Sequence, residues 1–118
     1  MGLDQYFYKA RKNISEEEIQ KLDREKSYGN INHKRFEEVA KSVKYFNKNY
    51  ELQEIVFEIW QKEKKNDDID SFNCQFLNLT KEDIEFIIES SEDERVIEFL
   101  KEALKKLEKN NIFFYSSW

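Results

Sequence analysis

Two aromatic clusters near opposite ends of the chain, Tyr6-Phe7-Tyr8 and Phe113-Phe114-Tyr115, set the strongest condition on the fold. With Ile112 beside the second, both have the aromatic and β-branched character of strands. A strand of this kind left exposed and unpaired templates aggregation. The two ends are therefore expected to meet in one sheet. The expected fold class is α+β: three or four mostly antiparallel strands, including both terminal strands, with three or four helices covering one face. A mainly helical bundle is the competing architecture. The 118 residues suit one domain, 1–118, and leave no room for a second core. Although 38% of the residues are charged, the 15% that are aromatic supply large buriable surfaces that disordered chains lack.

Local signals divide the rest. The first strand is expected over residues 3–9. Ser15 then opens a helix, with Glu18 completing a capping box and Ile19 and Leu22 forming a thin apolar stripe. In the middle, Phe36, Val43, Tyr50 and Phe57 recur at heptad spacing, with Val39, Phe46 and Trp60 alongside, which would suit one long helix. Asn47 and Asn49 oppose it, because Asn prefers caps and turns. The reading is a strand over 43–46, a break, and a helix from about Asn49 to Lys64. The polar run 62–70 is expected to be a loop. Phe72, Cys74 and Phe76 alternate with polar residues in a strand pattern that would turn Cys74 inward as a small apolar residue. Thr80 with Asp83 caps a helix carrying Ile84, Ile87 and Ile88, and Ser91 with Glu94 repeats the device. The last helix places Ile97, Leu100, Leu104 and Leu107 on one face, with Ala103 beside them. Asn110-Asn111 then turns the chain into a closing strand over 112–115.

Charge is concentrated. Residues 82–98 hold eight acids (Glu82, Asp83, Glu85, Glu89, Glu92, Asp93, Glu94 and Glu98) against Arg95 alone, whereas the whole chain is only −5. Such a block repels phosphate and is steered toward basic surfaces. Lys9, Arg11 and Lys12, with Lys34, Arg35, Lys41, Lys44 and Lys48, could form a local basic patch, but direct DNA binding is not expected.

Catalytic constellations are missing. The single histidine, His33, sits in a polar stretch with no orienting carboxylate nearby in sequence, which disfavours Ser-His or Cys-His chemistry. His33 and Cys74 together are too few for structural zinc. Asp67, Asp68 and Asp70 lack the glycine and terminal glutamate of an EF-hand loop. Two isolated glycines cannot build a phosphate loop. No enzymatic activity, cofactor or metal is expected. The lone Cys74 rules out an intramolecular disulfide. With no signal segment and no apolar run of about 20 residues, a cytoplasmic location is expected.

The opening MGLDQYFYK and closing FFYSSW resemble the two ends of a group of small bacteriophage and prophage proteins that start MGLDMYLY and finish Y-x-SSW. The group's Tyr-Trp-Arg-Lys stretch, which runs into a helix carrying Ile-His and Trp-Phe, is similar to Tyr45 through Val56 here. Tyr45 and Lys48 match. Phe46 replaces the Trp, Asn47 the Arg, Gln53 the His and Ile55 the second Trp, so roles of that Arg or His do not carry over. Asn73 through Ile88 resembles the group's Asn-Cys strand and capped helix. The resemblance implies a phage or mobile-element origin and a bacterial host cytoplasm, with no activity attached. Small acidic proteins of such origin often occupy a host machine, as anti-CRISPR proteins do. The leading expectation is therefore an anti-defence inhibitor whose partner is a host protein with a basic surface, a nucleic-acid-binding effector among the candidates. Its binding residues would be Glu82, Glu85, Glu89, Glu92, Asp93, Glu94 and Glu98, with Phe86 or Phe99 as a desolvated anchor. The alternative is a small-molecule or nucleotide binder with a pocket of Asp4, Tyr6, Tyr45, Tyr115, Ser117 and Trp118.

Overall fold

Strand β1 (Asp4–Arg11) alternates buried Gln5 and Phe7 with half-buried Tyr6 and Tyr8, so both of its sides carry apolar surface that needs cover. In the computed structural model, which describes residues 2–26 and 38–118, β1 lies between two antiparallel partners. His33, Lys34, Arg35 and Phe36 fall outside the described residues. One partner is β2 (Ala40–Asn47) and the other β4 (Asn110–Ser117); β3 (Phe76–Leu79) completes the order β2-β1-β4-β3. The terminal strands are thus the two central ones, paired from Asp4 opposite Ser117 to Arg11 opposite Asn110. The α+β fold with both aromatic ends in one antiparallel sheet is as expected.

Five described helices surround the sheet. The capping signals place α1 (Glu16–Lys26) and α4 (Lys81–Ser90): the Glu18 amide donates to Ser15 Oγ at 3.1 Å, and the Asp83 amide to Thr80 Oγ1 at 3.1 Å. The middle segment breaks where the asparagines stand. Asn49 Oδ1 accepts from the Leu52 amide at 3.1 Å and starts α2 (Tyr50–Lys64), so one long helix is excluded. A four-residue helix α3 (Ile69–Phe72) precedes β3, and α5 (Glu94–Lys105) precedes β4.

Side-chain parity sorts the core. Phe7, Phe46, Leu77, Leu79, Ile112 and Phe114 face α2, α4 and α5 in the larger cluster; Ala10, Ala40, Phe76 and Phe113 face Ile19 and Leu22 of α1 in the smaller. Helices therefore cover both faces, where one was expected. A buried polar set fixes α2 to the central strands. Gln5 Nε2 donates to Asn49 O at 2.9 Å and Gln53 Oε1 at 3.2 Å, Gln5 Oε1 accepts from the Asn49 amide, and Gln53 Nε2 donates to Ser116 Oγ at 3.1 Å.

Four local expectations are corrected. The alternation at Phe72-Cys74-Phe76 is not one strand. Phe72 is fully buried at the end of α3, Cys74 is exposed in a turn at φ 62°, and β3 begins at Phe76. The Cys74 amide donates to Ser116 O at 2.8 Å, which fixes that turn against β4. Asp93, not Ser91, caps α5, its carboxylate accepting from the Arg95 amide at 2.9 Å. The buried side of α5 is Val96, Leu100 and Ala103, and Leu107 lies past its end. Asn110 and Asn111 belong to β4 rather than to a turn.

Candidate functional site

On α4, Glu82, Glu85 and Glu89 are three and seven positions apart and form one exposed stripe, because Ile84 and Ile87 claim the opposite side for the core. Glu92 lies in the connection to α5, and Glu94 and Glu98 lie one turn apart on α5, all exposed. Glu51 of α2 clamps that connection: its Oε1 accepts from Ser91 Oγ and from the Glu92 amide, each at 2.9 Å. Among the described residues no cation lies within ion-pair distance of Glu82, Glu85, Glu89, Glu92, Glu94 or Glu98. The Lys and Arg ion pairs go instead to Glu58, Glu16, Asp93 and Glu102.

Asp93 is the exception among the nominated acids. Its Oδ2 takes Arg95 Nη2 at 2.9 Å and Asn49 Nδ2 at 3.0 Å, and the Arg95 hydrogen bonds hold its pKa below the usual carboxylate value. It organises the helix start and faces Arg95. Past Glu98 the surface becomes mixed, with an open depression of about 630 Å³ lined by Glu98, Lys101, Glu102, Leu104 and Lys105. The suggested anchors are half-covered: the Phe99 ring packs 5.1 Å from Phe7, and Lys62 Nζ lies 5.8 Å from the Phe86 centroid.

Five of the six residues nominated for the aromatic pocket do share one face of the sheet. Tyr6 pairs with Tyr45 on one side and Tyr115 on the other, with ring centroids at 5.1 Å and 6.3 Å; Asp4 and Ser117 are paired at the end of the same row. A β-bulge makes this possible. Phe7 pairs with Lys44 but Tyr8 with Ser42, so Val43 is the extra residue and the parity of β2 changes there. Phe46 consequently enters the larger core while Tyr45 joins Tyr6. Trp118 lies on the other side, 6.1 Å from Phe72, so the six do not close into one pocket.

The phenols differ along this face. Burial, with Asp23 adding to it, pushes Tyr8 up to about 12. Burial first, and then the Cys74 side chain, raises Tyr115. Tyr45 is raised by the hydrogen bond that its hydroxyl donates to Asp4 Oδ1 at 2.6 Å.

The other sequence candidates are placed as follows. Lys9 and Lys41 stand directly opposite each other across β1 and β2, Lys44 Nζ is 5.7 Å from the Phe46 ring, and Lys12 donates to Leu107 O at 2.6 Å. Asp68 caps α3 through the Asp70 amide, and among the described residues no group of three or more His, Cys, Asp or Glu could hold a metal ion. No described helix is long and apolar enough to cross a membrane. The Gln5–Gln53–Ser116 set was not anticipated from sequence. No protein-family model matches the chain, and no curated protein or solved structure matches it.

Proposed function

We propose that the chain is an accessory protein of phage or mobile-element origin that acts by docking, an anti-defence inhibitor that sets its 82–98 surface against a basic groove of a host protein. The observation that carries this reading is the set of six exposed carboxylates left without a neutralising cation among the described residues. Uncompensated charge of this kind raises association rates toward a basic partner and weakens as salt is added. The resemblance of both chain ends to phage proteins supports the origin.

The test is a triple reversal, Glu89→Lys with Glu92→Lys and Glu94→Lys. Among the described residues these side chains make no ion pair, so the fold should hold while capture of a basic-channel host protein, and inhibition of it, are lost. A variant that folds and still captures and inhibits that protein overturns the mechanism. The second reading, small-molecule or nucleotide sequestration, draws on the gathering of Asp4, Tyr6, Tyr45, Tyr115 and Ser117 on one face. Saturable thermal stabilisation by one nucleotide, unchanged in the triple variant, would favour it.

A further inference from the structure

We propose that Tyr6, Tyr45 and Asp4 form a recognition site for an arginine side chain of a basic protein segment, separate from the 82–98 surface. Tyr45 is 49% exposed, on a sheet face where Phe76 and Phe113 are buried and Tyr6, Tyr8 and Tyr115 half-buried. The Tyr6 and Tyr45 rings meet at 5.1 Å with an interplanar angle of 46°, Tyr6 half-buried and Tyr45 the exposed member of the pair. Asp4 stands at its rim. Tyr45 Oη and Asn47 Nδ2 both donate to Asp4 Oδ1, at 2.6 Å and 3.1 Å, which fixes the carboxylate beside the ring and, among the described residues, leaves Oδ2 without a hydrogen bond.

Charge decides the occupant. Among the described residues Asp4 has no cation within ion-pair distance, Lys48 just past β2 included, and the two nearest strands contribute Tyr6, Tyr8, Ser42, Tyr45 and Asn47 to this face but no Lys or Arg. A stacked nucleobase would bring its phosphate toward Asp4, whereas a guanidinium gains from both parts of the site. It can lie flat on a tyrosine face while one edge donates to Oδ2. The hydrogen bond from Tyr45 leaves the ring oriented for that contact before any ligand arrives.

The experiment is a titration of the whole protein with an arginine-glycine repeat peptide, following the ring resonances of Tyr6 and Tyr45, with oligo-dT as the competing probe. Saturable shifts of those rings are expected with the peptide. Tyr45→Leu should weaken binding about two- to fivefold and Asp4→Asn comparably, while Tyr45→Phe keeps the π-face and most of the affinity. The Glu89→Lys, Glu92→Lys, Glu94→Lys variant should leave the ring shifts in place, so failure of the acidic-surface reading would not remove this one. Wild-type affinity in Tyr45→Leu, ring signals unmoved by the peptide, or ring shifts with oligo-dT alone would overturn the proposal.

Discussion

Truncating Gln53 is expected to loosen α2 from the sheet far more than a polar substitution usually does. Gln53 is 7% exposed, Gln5 and Ser116 are fully buried, and its amide is the link between them. In Gln53→Ala, Gln5 keeps both hydrogen bonds to the Asn49 backbone, so the loss there is one side-chain contact, about 1 kcal/mol. Ser116 Oγ loses its amide partner in a site without solvent access, which adds about 1–3 kcal/mol. The expected total is about 2–4 kcal/mol, read as a lower urea midpoint at unchanged slope. Ser116→Ala removes the orphaned hydroxyl, so the double variant should be less destabilised than the sum of the singles, with a coupling of about 1 kcal/mol. A loss below about 1 kcal/mol together with additive singles would refute the argument that this amide holds the helix in place.

Three further outcomes can be measured. Asp93→Ala should cost about 1 kcal/mol in chemical denaturation, because it removes the α5 cap, whereas Glu94→Gln should stay within about 0.5 kcal/mol. Lys65 ends α2 at φ 52° and ψ 44°, so Lys65→Gly is expected to stabilise by about 0.5–1 kcal/mol. In an ultraviolet titration Tyr8 should ionise near 12, against 10.0 for an unperturbed phenol, and Tyr115 should also ionise late. The folded pKa is the raised one, so the stability these phenols contribute is complete below pH 10 and falls away as pH rises toward the folded value.

Helix starts were legible because a cap is decided within four residues: Ser15, Asn49 and Thr80 each sit where their side chains reach a nearby amide. The pairing of the chain ends was legible from the exposure problem that two aromatic strands share. What failed depended on distant partners. Alternation at Phe72, Cys74 and Phe76 fits period two, but Phe72 is held by stacking on Phe114 at 6.1 Å and Cys74 by Ser116 O, neither visible in a local window. Ser91 and Asp93 are both good capping residues two positions apart, and contacts from Glu51 and Asn49 gave them their roles. The tyrosine face was legible as a set of residues, while the bulge at Val43 that puts Tyr45 into it, and the parity that takes Trp118 out, were not.

The position of β1 between β2 and β4 has a kinetic consequence. Its partnership with β2 closes a span of some tens of residues, but Asp4 and Ser117 are separated by nearly the whole chain, and β3 touches the sheet only through β4. Ordering so much intervening polypeptide before the central ladder can zip slows folding relative to a hairpin-built sheet of equal size. During synthesis the β1–β2 ribbon must therefore keep one aromatic flank unsatisfied until residues 110–117 have left the ribosome, and in that interval the nascent chain is most vulnerable to aggregation.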